Sequence, residues 1–336
     1  MQTTTPLTEE SLFDLLMGGF IPSRVAMTAV QVGIFDAIEA GATTAETIAE
    51  HCECDPRATR MLLDTTTALG MCQKADGRYS LGPLTQKLLV SSSPNYIGAL
   101  VQSNVMWDRW SHLTETVRTG EPVAQVESPG VAAAFFPSLV AALHLRNRRG
   151  AQLVAQWLKN RLPAFDARVL DVACGSGVWS IAIAEACPQS HVTANDFPAL
   201  LERLPAYLEP HGLTDRYSFL AGDLKAVDFG EEQFHAAILG NIVHSEGEAG
   251  SRKLLQQLHR AMKPGGHVVI VDMVPNDERS APVYPLAFAL NMLLNTRHGD
   301  TFTLAEYTEW LHDAGFKRVE TVDVQMHSPV IVGSKI

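Results

Sequence analysis

The 336-residue sequence predicts an α/β fold, with an open, mostly parallel sheet wound on both sides by helices behind a mainly helical N-terminal domain. Three observations carry this expectation. An apolar strand, a glycine-containing loop, a helix and a second strand follow one another between Ala167 and Asp196. Further short apolar strands recur downstream, alternating with helical patterns, which is the signature of a parallel sheet. The first ninety residues instead read as short helices with one hairpin.

Along the chain, Leu12 to Ala40 has helical periodicity. Ala42-Thr-Thr-Ala-Glu46 is a capping-box pattern opening a short helix, and Asp55-Pro56-Arg57 opens another that ends at Gly70. Cys72 to Leu81 reads as a hairpin around Asp76-Gly77. Helix-helix-hairpin is a winged-helix plan, so DNA binding has to be weighed. Residues 1–90 hold six basic and eleven acidic side chains, a net of −5 and the wrong sign for contacting a phosphate backbone. The apolar Leu12 to Val32 segment is too rich for a monomer surface and is expected to pair with a second copy of the chain. The expected domains are 1–100 for this region, 101–160 for a helical linker and 161–336 for the sheet.

In the linker, Trp107 and Trp110 share a helical face, serving either the core or one wall of a ligand pocket. Ala132 to Leu145, with Phe135-Phe136, is a further amphipathic helix. The run Arg146-Asn-Arg148-Arg149 after it is expected as a solvated cluster at a helix end rather than an anion site.

The strand Ala167 to Val172 ends in the small-residue loop Ala173 to Gly177, and the next strand ends in Asn195-Asp196. Glycines there admit a ligand to the backbone, and the acidic residue is placed to accept hydrogen bonds from a ribose diol. Two details disfavour a dinucleotide. Ser180 stands where a third glycine is wanted, beside bulky Trp179. Asp171 precedes the loop, and like charges about 4 Å apart cost on the order of 4 kcal/mol at intermediate dielectric, so it would repel a pyrophosphate. It would attract a ligand carrying ammonium and sulfonium charges. S-adenosylmethionine (SAM) is such a ligand, and NAD is not.

Phe219 to Leu224 reads as a strand ending in Gly222-Asp223, whose carboxylate could accept an adenine amine. Ala236 to Leu239 runs into Gly240-Asn241-Ile-Val-His244, a helix from Ser251 stops at Lys263-Pro-Gly-Gly266, and His267 to Val274 is a buried strand. Asp171, Asp196, Asp223 and His244 thus fall at the carboxyl edge, where such sheets bind ligands.

The chain is 46% hydrophobic and 19% charged, with no basic and apolar leader at Met1-Gln-Thr-Thr-Thr5 and no apolar run expected to span a bilayer. A net charge of −11 discourages generic binding to nucleic acid or anionic membrane. Five cysteines match neither a disulfide framework nor a zinc spacing, so no metal is expected and a cytoplasmic setting is.

With Leu170-Asp-Val-Ala-Cys-Gly-Ser-Gly177, Asn195-Asp-Phe-Pro198, Ala221-Gly-Asp223, Asn241-Ile-Val-His244 and Lys263-Pro-Gly-Gly266 in place, residues from about 10 to 336 resemble the class I SAM-dependent small-molecule O-methyltransferases. That group contains plant caffeate, acetylserotonin and bacterial tailoring enzymes. The resemblance implies a Rossmann-like catalytic domain, a winged-helix dimerisation domain and a homodimer. It places the cofactor against Asp171, Ala173, Gly175, Gly177, Asp196, Phe197, Gly222, Asp223, Leu224 and Asn241. It makes His244 the catalytic base, at a point where relatives commonly carry Leu-His-Asp-Trp.

The chain departs from the pattern near that histidine. Ser245-Glu246 replaces Asp-Trp, Gly240 stands where plant enzymes have lysine, and Thr301 takes the place of the glutamate that orients the plant histidine. No orienting carboxylate is therefore secured for His244, which leaves open that another carboxylate substitutes, that the reaction relies on proximity alone, or that methylation falls on carbon or nitrogen. Tyr284 to Thr296 resembles the substrate-binding helix, with Phe288, Asn291, Met292 and Asn295 on one face. Amides in an apolar helix are costly to bury without partners, which points at least one of them to a ligand. The expected activity is methylation of a hydroxyl on a small aromatic or polyketide-like metabolite. The alternatives are carbon or nitrogen methylation, a SAM-retaining cyclase or isomerase, and a SAM-responsive DNA-binding regulator.

Overall fold

The computed structural model describes residues 7–126 and 129–336, with side chains for 7–126 and 136–336. Met1 to Thr5 and the side chain of Phe135 lie outside the described residues. The chain divides into two compact units, Thr3–Asp108 and Arg109–Ile336.

The first unit runs α1 (Glu9–Gly18), α2 (Ile21–Gln31), α3 (Ile34–Glu39), α4 (Ala45–His51), α5 (Pro56–Ala68), β1 (Cys72–Ala75), β2 (Arg78–Leu81) and α6 (Pro83–Leu89), with α7 (Val105–Ser111) crossing the boundary. The capping box of α4 is shifted by one residue from the expected pattern. Thr44 accepts from the Thr47 amide, and the Thr47 hydroxyl, not Glu46, reaches back to Thr44. Asp55 caps α5 ahead of Pro56, whose missing N–H is harmless in the first turn. Asp76 and Gly77 both have positive φ, as a two-residue hairpin turn requires. Ile34, Phe35, Ile48, Leu63 and Tyr79 form the core of this unit.

α1 buries none of its side chains, and Phe13, Leu16 and Met17 are about 70% exposed. Within Glu9–Gln31 an 18-residue window reaches a mean hydropathy of 1.2, enough by length and composition to cross a membrane. The expectation of no such run counted uninterrupted apolar residues, and Asp14 and Arg24 interrupt this stretch. The segment is two helices with a break at Gly19-Phe20.

The second unit adds α8 (Leu113–Thr119), α9 (Pro129–Lys159), β3 (Ala167–Val172), α10 (Val178–Ala186), β4 (Ser190–Asp196), α11 (Pro198–Leu201), α12 (Pro205–Leu208), β5 (Tyr217–Ala221), β6 (Phe234–Gly240), α13 (Val243–Ala261), β7 (Met262–Val271), α14 (Val283–Asn295), α15 (Leu304–Ala314), β8 (Arg318–Val322) and β9 (Val330–Ser334). The sheet order is β5-β4-β3-β6-β7-β9-β8. The first five strands are parallel, and β9 runs antiparallel to both β7 and β8. Alternate residues feed opposite cores. Val169, Ile238 and Val269 pack under α9 and α10, while Leu170, Leu239 and Ile270 pack with Leu254, Leu258, Trp310 and Leu311. Both faces being covered explains why these strands read as continuous apolar runs. The chain reverses direction across the sheet between β3 and β6, so the topological switch point lies there.

α9 extends through the basic run to Lys159, so Arg146 to Arg149 lie inside a helix and not at its end. Asn147 is buried, and Arg149 bonds Gln325.

Candidate active site

At the switch point, β3 leads into Ala173, Gly175 and Gly177, all at positive φ, and Asn241 after β6 is also left-handed. A non-glycine residue there is uncommon and marks a turn fixed by its surroundings. The loop amides are already engaged. The Cys174 N–H donates to the Asn195 carbonyl, Gly175 N–H to Asp196 Oδ2 (2.8 Å) and Gly177 N–H to the Cys174 carbonyl. A pyrophosphate could not use those three donors.

Asp196 is 7% exposed and accepts one amide on each oxygen, from Gly175 and from Phe197 (2.8 Å each). Burial raises its pKa to about 6 despite those bonds. Each carboxylate oxygen has a further lone pair, which suits the two hydroxyls of a ribose. Asp171 is 1% exposed, and its only described side-chain partner is the Ser180 hydroxyl at 2.5 Å. Tyr217 also donates to Ser180, at 3.1 Å. Burial, with Asp196 nearby, pushes Asp171 up to about 7. Ser180, which breaks the dinucleotide fingerprint, is thus the residue that holds Asp171.

Asn195 ties β4 to β5 by donating to the Leu220 and Gly222 carbonyls, and the Gly222 N–H donates to the Asp196 carbonyl. Asp223 accepts from the Lys225 amide with one oxygen, while Phe197 and Leu224 are half-buried. Lys225 Nζ lies 3.3 Å from Glu246, which joins the turn after β5 to the start of α13. A Cβ on Gly240 would sit 2.5 Å from Trp179, so the indole fills the room that a side chain would need there.

The other side of the switch point is organised around His244, the second residue of α13 and 8% exposed. Its Nδ1 lies 2.5 Å from Asp272 Oδ1, and its amide donates to Asp272 Oδ2 (3.0 Å). Asp272 also accepts from the Met273 amide (2.8 Å) and the Tyr307 hydroxyl (3.2 Å). Burial beside Asp272 holds the Tyr307 phenol well above its usual range, so it remains a donor. Of the possibilities that the sequence left open, a substituting carboxylate is the one that stands beside His244. The carboxylate comes from the residue following β7, not from position 301. Thr301 is fully buried, and its hydroxyl has no hydrogen-bond partner among the described residues. The signal in the sequence was an acidic residue at the end of a β-branched strand, in register with the carboxyl edge.

Phe288 meets the His244 ring edge-on at 4.9 Å. Asn291 and Asn295 find partners inside the protein. Asn295 donates to the Asn291 carbonyl (2.8 Å) and to Asn291 Oδ1 (3.3 Å) and accepts from Arg109 (2.6 Å), so the buried amide of Asn295 has partners while half-buried Asn291 offers only its oxygen to it. Met292 is buried. Trp107 packs within the first unit, against Phe20 (6.2 Å) and Arg24 (5.4 Å), and Trp110 is 37% exposed.

The O-methyltransferase domain model matches residues 146–317, and the O-methyltransferase dimerisation domain model matches residues 15–91. A 3-hydroxy-5-methyl-1-naphthoate 3-O-methyltransferase from Streptomyces sahachiroi is 30% identical, over 91% of this chain and 89% of that one. The chain belongs to the O-methyltransferase family. The tetracenomycin polyketide synthesis 8-O-methyl transferase of Streptomyces glaucescens is 28% identical over 94% of both chains. The solved structure of human N-acetylserotonin methyltransferase in complex with SAM shares the fold, with a TM-score of 0.81 at 21% identity over 99% of both chains. This methyltransferase uses SAM as its cofactor, and the donor set agrees. Its loop has no lysine or arginine between Asp171 and Gly177, spends three of its amides internally, and lies beside the buried carboxylate of Asp196.

Proposed function

We propose that the enzyme methylates a hydroxyl of a small aromatic or polyketide-like metabolite, with His244 as the general base and Asp272 as its positioning residue. The observation that carries this reading is the 2.5 Å contact between His244 Nδ1 and Asp272. With its Nδ1 proton held by a carboxylate, the imidazole keeps Nε2 as the acceptor for an acceptor hydroxyl's proton. A base of this kind contributes about 10²- to 10⁴-fold. Bound SAM supplies a methyl group on a good leaving group. Asp196 would hold its ribose, Asp223 and Leu224 its adenine, and Gly175 and Gly177 would allow close approach, with Ala173, Phe197, Gly222 and Asn241 shaping the walls. Asp171 supports the loop through Ser180 and adds negative charge beneath the ammonium. Phe288, Asn291 and Met292 would line the acceptor, and the enzyme would work as a cytoplasmic homodimer through its apolar N-terminal helices. Carbon or nitrogen methylation loses its motive once His244 has a partner, because a fixed base is what a phenol requires.

Labelled SAM with a panel of phenols and matched anilines tests the reading. Label transferred to phenolic oxygen is expected. Transfer only to nitrogen or carbon, or none to any phenol, overturns it.

A further inference from the structure

Arg146 sits within α9 with its guanidinium 5.2 Å above the Tyr284 ring, and it donates to the Tyr284 hydroxyl at 3.1 Å. Tyr284 stacks on Phe288 at 6.3 Å and on His327 at 5.1 Å, and Phe288 is the ring that meets His244. The base and an arginine therefore stand at opposite ends of one row of aromatic side chains. Among the described residues no carboxylate lies within ion-pair distance of Arg146, whereas Arg252 binds Glu248, Glu309 and Asp313 and Arg279 binds Glu306.

We propose that Arg146 binds an anionic substituent of the acceptor, so that the preferred substrate class is a planar aromatic hydroxy acid whose carboxylate lies remote from the hydroxyl being methylated. This rests on the proposed O-methylation at His244. The physical case has three parts. A guanidinium laid on a phenol face is oriented before any ligand arrives, and its planar fork matches a carboxylate in two parallel hydrogen bonds. Only one of its N–H groups is occupied by Tyr284, so donors remain. In a chain of net charge −11, an arginine without a carboxylate partner at the end of a catalytic aromatic row is a local reversal of sign, which draws and orients an anion. A flat ring resting along Phe288 and Tyr284 would present its hydroxyl at His244 and its carboxylate at Arg146.

The test compares 6-hydroxy-2-naphthoate with its methyl ester on the same enzyme preparation, so that any loss of folded protein cancels in the ratio. The wild type is expected to favour the acid at least tenfold in kcat/KM, with a preference that weakens as salt rises. Arg146→Gln should lower that ratio at least tenfold, and Arg146→Lys, which keeps the charge but not the planar fork, should retain only part of it. A wild type that uses the ester as well as the acid, or an acid preference that survives in Arg146→Gln, overturns the proposal. If neither compound is methylated, the O-methylation reading fails separately. Calorimetric binding to the S-adenosylhomocysteine complex then decides the site. Tighter binding of the acid that depends on Arg146 supports it, and equal or undetectable binding of both overturns it.

Discussion

The two halves of the carboxyl edge are built by different means. On the half proposed to hold the cofactor, Asp171 and Asp196 are fixed from within one strand-loop-helix-strand unit: by the Ser180 hydroxyl nine positions on, the Phe197 amide next door, and the Gly175 amide in the loop after β3. On the half proposed to hold the acceptor the contacts are side chain to side chain between separate elements. His244 meets Asp272, Asp272 meets Tyr307, Arg109 meets Asn295 and Arg146 meets Tyr284. The cofactor half is a backbone cradle with carboxylates under it, suited to a ligand that does not vary. The acceptor half can be retuned by single substitutions without disturbing the strand-loop-helix unit.

The largest expected effect breaks the acceptor half alone. His244→Ala or His244→Gln should lower turnover 10²-fold or more, within the range of general-base catalysis, while calorimetry finds SAM affinity little changed. Near-normal turnover at pH 7 in both variants would make His244 a structural residue. Asp272→Asn should lower kcat by roughly 10- to 10³-fold, because an amide neither secures the tautomer as well nor supplies a charge beside the imidazole. A positioning role predicts that this loss shrinks for acceptors whose phenols ionise unaided. A merely structural role predicts the same loss for every acceptor.

A smaller effect breaks the cofactor half alone. Asp196→Ala should weaken SAM binding by roughly 1–3 kcal/mol through lost charged hydrogen bonds, and saturating SAM should recover most of the turnover. Unchanged affinity would remove Asp196 from the cofactor site.

The smallest effect is on stability. Asp171 titrates at about 7 when folded, raised from 3.8 by burial, so the folded state holds its proton over the window between those values. Stability without ligand therefore falls as pH rises through that window, and the burial cost is fully felt only above it. Asp171→Asn should raise the unfolding midpoint at pH 8, by a free energy on the order of 2–4 kcal/mol at most, and change it little at pH 4. An equal change at both pH values would show that Asp171 is not a buried charge.

The sequence by itself determined the strand-loop-helix-strand unit, the edge carboxylates and the helical start of the chain. Each depends on local periodicity, on glycines at turns, or on a residue placed at the end of its own strand. It also exposed the departures at Gly240 and Thr301 without explaining them. Tertiary structure decided what local patterns cannot carry. A strand-end aspartate 28 residues from His244 supplies the missing carboxylate, and Trp179 accounts for the absent side chain at Gly240. The arginine run read as a solvated helix end lies inside a helix, with Arg146 on an aromatic ring. Periodicity tells which face of an element is apolar. Which charged group meets which depends on how the strands are ordered and how far each helix continues, and only the assembled sheet fixes those distances.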